Sequence, residues 1–183
     1  MGNLSYGRWN MENSMKMTIA HSKGLSSHNL LLIKAVLMSK GDVAEVGAGL
    51  FSTPLLHWLT KAMNRRLITY ENSEEFFVFA KRFQSQLHRI RKIGNWDDMD
   101  FKRHWGVVFI DHAPAERRSQ DVINFKDTAD YIVMHDTEPN AYKKYGWDKC
   151  WSYFKYRYDW TDGWPNSSVV SNFYPLDKFK ELL

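Results

Sequence analysis

Val43 to Val46 is a short apolar run broken only by Glu45, and it stops at Gly47-Ala48-Gly49. Glycines in that spacing let the main chain turn tightly and let a ligand come up against it. Ser52 or Thr53 then caps a helix, with Pro54 suited to its first turn. A helix start offers free N–H groups and a positive dipole end to an anionic group. Glu71 ends the next apolar run, Arg66 to Tyr70, where a carboxylate is placed to accept both hydroxyls of a ribose. Two more apolar runs end in titratable groups. Gly106 to Ile110 delivers Asp111 and His112, and Asp130 to Met134 delivers His135, Asp136 and Thr137. Buried strands that end in charged clusters mark the edge of a sheet where ligands collect.

The elements that must hold these residues follow from periodicity. Ser26 or Ser27 caps a helix carrying Leu30, Leu31, Ile33, Leu37 and Met38, and Ser39-Lys40-Gly41 ends it. Val43 to Val46, Arg66 to Tyr70, His88 to Ile93, Gly106 to Ile110 and Asp130 to Met134 read as five strands. The third alternates in character, as an edge strand does. Helices alternate with them, and the amphipathic stretch Glu74 to Leu87 puts Phe76, Phe79, Ala80 and Phe83 on one buried stripe. Ala115 to Phe125 reads as a solvated helix and Asn140 to Trp151 as another. Tyr153 to Trp160 and Ser168 to Phe173, joined by a turn-rich connector, make an antiparallel pair at one sheet edge. Leu176 to Leu183 reads as a terminal helical turn.

The chain has 183 residues, 44% of them hydrophobic, enough for one domain with a substantial core. Residues 1–25 are polar and Met-rich and read as an N-terminal arm or flap, with a single domain over residues 26–183. A net charge of +4 is mildly basic, short of the dense Lys/Arg footprint of a dedicated nucleic-acid binder, and disfavours nucleic acid as partner. Cys150 stands alone, so no disulfide framework and no thiolate zinc cluster forms within one chain. A reducing, cytoplasmic setting is the simplest expectation. No long apolar run predicts a membrane span.

The Glu45-x-Gly47-x-Gly49 arrangement resembles the first motif of class I S-adenosylmethionine-dependent methyltransferases. A dinucleotide fingerprint wants Gly or Ala where Ser52 stands, which weighs against a nicotinamide cofactor. The resemblance implies an α/β, Rossmann-like class I methyltransferase fold: a mostly parallel sheet with a terminal antiparallel hairpin. It implies S-adenosylmethionine as cofactor, with Glu45, Gly47, Gly49 and Ser52 near its methionine end. Glu71 then takes the ribose, and the loop Asn95, Trp96 and Asp97 supports the adenine. Asp111 closes the crevice.

A narrower resemblance, Val107 to His112, is to metal-dependent O-methyltransferases of the catechol O-methyltransferase type. It implies magnesium held by Asp111 and Asp136, with Thr137 where that family has Asn. Magnesium prefers oxygen ligands and keeps several waters, so two carboxylates suffice. A bound cation acidifies and orients a substrate hydroxyl. The catalytic lysine of that family falls at Pro114 here and is absent, which leaves His112 or His135, with Asp111, for acid–base work. A metal-free enzyme with His112 as base is the sister reading.

The acceptor expected from this resemblance is a hydroxyl of a small molecule or sugar. Alternatives are a nucleic-acid or protein methyltransferase and a non-catalytic S-adenosylmethionine binder. The Asn/Asp-Pro-Pro-Tyr/Phe motif of amino-methylating enzymes is replaced by Asp111-His112-Ala113-Pro114. With no inserted cap domain, the arm or a neighbouring subunit of a homo-oligomer is left to complete the pocket.

Overall fold

Val43–Val46 (β1), Trp105–Ile110 (β4), Ala129–His135 (β5) and Ser167–Ser171 (β7) are buried along their whole length. That is what continuous apolar runs become when helices cover both faces of a sheet. The computed structural model describes residues 26–181. Leu67–Glu71 (β2), His88–Lys92 (β3) and Tyr156–Trp160 (β6) complete a seven-stranded sheet of order β3-β2-β1-β4-β5-β7-β6. The first five strands are parallel; β7 runs antiparallel to β5 and to β6. This is the expected architecture, terminal hairpin included.

Register decides which residues meet. Val46 lies opposite Tyr70 on one side and Ile110 on the other, and Ile110 opposite Met134. Gly47, Glu71, Asp111 and His135 are each the next residue, so all four reach one rim. The rim lies where strand order reverses, between β2 and β4 on either side of β1, the usual ligand crevice of such sheets.

Strand alternation sorts side chains to two apolar layers. Val43, Leu67, Val107 and Phe109 pack with helices Asn29–Met38 (α1) and Ser52–Ala62 (α2). Ala44, Val46, Val108 and Ile110 face Val122 of helix Arg118–Asn124 (α4) together with Trp105 and Trp147. The short helix Glu74–Ala80 (α3) covers β2 and β3.

Several expected boundaries shift. α3 stops at Ala80 and gives way to a tighter turn at Lys81–Phe83; Phe76, Phe79 and Phe83 are only half-buried. The single helix expected from Asn140 to Trp151 is two, Tyr142–Tyr145 (α5) and Trp147–Cys150 (α6), split at Gly146 with φ +71°. His28, not Ser26 or Ser27, precedes α1. The expected N-terminal arm lies outside the described residues. No helix among the described residues is long and apolar enough to cross a membrane. Cys150 is a buried free thiol, and burial pushes its pKa up to about 12.

Candidate functional site

A crevice of about 510 Å³ opens at the carboxyl rim of β1, β2, β4 and β5, within the range of roughly 300–1,000 Å³ common for small-molecule sites. At one end the Gly47 turn approaches the start of the loop after β4. Gly47 has φ +90°, and a Cβ there would lie 2.4 Å from the Asp111 carbonyl oxygen. Only glycine fits both constraints. Gly49 and the buried Ser52 also border the crevice, at the N-terminal end of α2.

Glu71 is anchored by main-chain N–H groups. One oxygen accepts the Ala48 N–H at 2.7 Å, the other the Ser73 N–H at 2.6 Å. The carboxylate is thereby fixed at the crevice wall beside the glycine turn. Each carboxylate oxygen has a further lone pair, so two hydroxyls fit alongside these bonds. Phe76 and Asn72 line the same end.

Glu45 does not reach the crevice. It is fully buried on the α2 side of the sheet, where it accepts hydrogen bonds from Thr53 (3.0 Å) and Thr69 (2.6 Å). The reason is alternation: Glu45 shares its face with Val43, which packs under α1 and α2. Its influence on the turn is indirect, because Thr53 Oγ1 also accepts the Gly49 N–H at 3.0 Å. Behind it a buried chain runs through Thr69 to His88 Nε2 at 2.8 Å and from His88 Nδ1 to His57 Nδ1 at 3.2 Å.

Asn95, Trp96 and Asp97 are not brought to the crevice either. Asn95 accepts the Asp97 N–H, Asp97 pairs with Arg117, and Trp96 donates to the Ala113 carbonyl while stacking on His112 at 4.2 Å. His112 lines the crevice, but its side chain is fully buried, 3.0 Å from the equally buried Asp121. An imidazole enclosed by Trp96 and Asp121 has no route to an acceptor, which removes it as the expected base.

Asp111 and Asp136 do converge, but on a guanidinium. Arg118 places Nη2 2.9 Å from Asp111 Oδ1 and Nη1 2.9 Å from Asp136 Oδ2, while its Nε donates to the His112 carbonyl. Its plane lies 4.7 Å over the Tyr145 ring, whose hydroxyl donates to Asp136. Asp136 adopts φ +57°, a left-handed conformation that Asp tolerates better than most residues; Trp147 Nε1 donates to its carbonyl at 2.8 Å. Thr137, the expected third ligand, is buried elsewhere and accepts a hydrogen bond from Ser168. Magnesium on Asp111, Asp136 and Thr137 therefore does not fit: a fixed cation already joins the two carboxylates and the third ligand faces away.

His135 is the other expected base, and it borders the crevice. Its Nδ1 lies 3.2 Å from Asp111 Oδ2 and its Nε2 3.0 Å from Ser27 Oγ. Ser27 donates its own proton to the Pro165 carbonyl at 2.6 Å, so Nε2 must be the donor to Ser27. Burial works against charge on His135, but the hydrogen bond and charge of Asp111 outweigh it and raise the imidazole pKa. Burial likewise opposes the Asp111 carboxylate, yet His135 and Arg118 hold its pKa well below the usual range. The result is a compact ionic group with one open side. Arg118 was legible as part of a solvated helix, since a charged residue at a helix start ordinarily faces water. Ser27 was legible only as a helix cap, and no local pattern marked His28 or Tyr145 for the site.

No protein-family model matches this sequence, and no curated protein does. Solved structures do. A Klebsiella pneumoniae protein assigned as an O-methyltransferase is 14% identical with TM-score 0.58, over 81% of this chain and 80% of that one. A Pyrococcus horikoshii protein assigned as an RNA methyltransferase is 13% identical with TM-score 0.53, over 81% and 84%. The N-terminal domain of human METTL16 in complex with SAH is 12% identical with TM-score 0.52, over 80% and 68%. The chain thus has the class I S-adenosylmethionine-dependent methyltransferase fold.

Proposed function

We propose that this chain is an S-adenosylmethionine-dependent methyltransferase acting on a hydroxyl of a small molecule or sugar. The observation that carries the reading is the shared rim. Register brings the glycine turn, the Glu71 carboxylate and the Asp111–His135 pair to one crevice. The groups at this rim suit the cofactor: Glu71 to accept from the ribose hydroxyls, Gly47 and Gly49 for close approach, and the α2 N-terminus for a carboxylate.

When bound, the cofactor supplies an electrophilic methyl on a sulfonium. The protein's own part is to hold an acceptor oxygen in line with it and to receive the oxygen's proton. Asp111 and His135 stand beside the Gly47 turn for that purpose. His135 takes the proton in its neutral form, and Asp111 then stabilises the imidazolium. An RNA acceptor is the second reading, favoured by the half-exposed Tyr153 and the exposed Tyr156 and Lys155 along the β6 edge, since aromatic side chains of this kind stack on bases.

The test is calorimetric titration with S-adenosylhomocysteine, followed by acceptor screening for a one-methyl mass gain, with RNA oligonucleotides in the same panel. Binding is expected, and Glu71→Ala should weaken it by about tenfold or more, the scale of a lost charge-assisted hydrogen bond. A wild-type chain that binds neither S-adenosylmethionine nor its product would overturn the assignment. Mass gain on RNA alone would replace the small-molecule acceptor with the second reading.

A further inference from the structure

His28 stands immediately before α1 and is 2% exposed, yet neither ring nitrogen has a hydrogen-bond partner among the described residues. Buried polar groups are ordinarily satisfied, and an orphaned imidazole in a crevice wall calls for a ligand, a water or an ion. One ligand atom from each of His28, Asp111 and His135 lies within 4.8 Å of the others. The two imidazoles meet edge to face with centroids 4.7 Å apart, and all three residues line the crevice.

We propose that His28, Asp111 and His135 form a three-ligand site for a divalent transition ion, open to the crevice at its acceptor end. Nitrogen and oxygen ligands bind such ions at about 2.1 Å, so in a tetrahedral arrangement two ligands of one ion stand about 3.4 Å apart. The three ligand atoms, now within 4.8 Å of one another, close on an ion by an inward shift. The donor set also chooses the metal. Two imidazoles and one carboxylate suit zinc, iron or cobalt, whereas magnesium demands oxygen ligands.

The surroundings supply what a ligand set needs. Arg118 holds Oδ1 of Asp111 and leaves Oδ2 beside His135 Nδ1. Ser27 accepts from His135 Nε2, so Nδ1 is the nitrogen free to ligate once its proton is displaced. Metal-bound histidines typically donate their second ring nitrogen in this way. Three protein ligands with an open fourth position is the pattern of a catalytic rather than a structural site.

The ion's role rests on the methyltransferase reading: it would acidify the acceptor hydroxyl and fix its oxygen. An ion-bound His135 is a ligand and no longer a base, so the two roles are exclusive.

Cobalt(II) is the probe, titrated into the full chain while visible d–d absorption is followed. One ion per chain is expected, with excess magnesium failing to displace it. His28→Gln and His135→Gln should each weaken binding by at least about 100-fold, beyond the 10- to 100-fold typical of lost outer-shell partners. Far-UV circular dichroism and urea midpoints, measured on the same samples, show that each variant is folded. Should His28→Gln fold poorly, the magnesium competition on the wild-type chain and the loss of uptake in His135→Gln still decide the matter. No stoichiometric cobalt uptake by the wild-type chain, displacement by magnesium, or uptake that both folded variants leave unchanged would each overturn the proposal. Cofactor binding without cobalt uptake removes the metal alone; cobalt uptake without cofactor binding removes the methyltransferase reading alone.

Discussion

Glu45 is fully buried, and burial raises its pKa from 4.5 to about 7 although Thr69, Ser52 and Thr53 all donate to it. Between those two values the folded chain keeps a proton that the unfolded chain has lost. The unfolded state then binds fewer protons, so stability falls as pH rises through this window, by roughly 3 kcal/mol in all. His28 and His88 act in the opposite sense. Burial lowers them to about 4 and about 3, so they are neutral when folded and stability is lost as pH drops below 6.5. Those groups are common to the wild type and Glu45→Gln, and the difference between the two isolates Glu45. The wild type should lose ground to Glu45→Gln steadily from pH 5 to pH 7 in urea-denaturation midpoints and level off above. A difference that stays flat means the carboxylate is ionised throughout. Site residues at this scale were legible by type and position but not by direction. Glu71 and Asp111 end their strands, so they reach the rim whichever face they take. Glu45 lies inside its strand, and one step of alternation sends it to the α2 layer.

Two glycines at element boundaries separate turn geometry from packing. Gly47 and Gly146 both have positive φ, at +90° and +71°. A Cβ on Gly47 would meet the Asp111 backbone carbonyl at 2.4 Å, whereas on Gly146 it would meet the Ser119 hydroxyl at 2.6 Å. Backbone inside a central strand pair cannot retreat; a serine side chain can rotate. Gly47→Ala is therefore expected to destabilise by at least about 3 kcal/mol and Gly146→Ala by about 1–2 kcal/mol, measured by urea unfolding. Equal losses would show that backbone conformation alone sets the cost. The same contrast explains what could be read of the elements. The central parallel strands β4 and β5 announced themselves as apolar runs because both faces are covered. The break between α5 and α6 went unread, since a lone glycine is tolerated within helices and neither its φ of +71° nor its packing against Ser119 of α4 shows in the local pattern. The phenylalanine stripe of α3 looked like core but covers the edge strand β3, where one side remains open to water.

Across the whole molecule, the order β3-β2-β1-β4-β5-β7-β6 puts β1, β4 and β5 in the middle and leaves β3 and β6 as edges. Central strands exchange their amide hydrogens mainly through global unfolding, and edges open locally. The crevice draws on strand ends, loops and helix starts at one rim, so a ligand there should slow exchange in a pattern set by topology. S-adenosylhomocysteine is expected to protect the amides of Ala48 to Phe51, Asn72 and Ser73, and Asp111 to Ala113. The amides of Asn95 to Asp98 and of β6 should be unchanged. The discriminating region is Asn95 to Asp98. The resemblance to class I methyltransferases implied adenine support there, while the structure turns Trp96 onto His112 and ties Asp97 to Arg117. Selective protection of Asn95 to Asp98, without protection of Asn72 and Ser73, would mean that the adenine end lies beyond β2 after all and that Phe76 and Asn72 do not hold it. Hydrogen exchange with mass-spectrometric readout distinguishes these outcomes because the segments fall in separate loops, divided by β3 and α3.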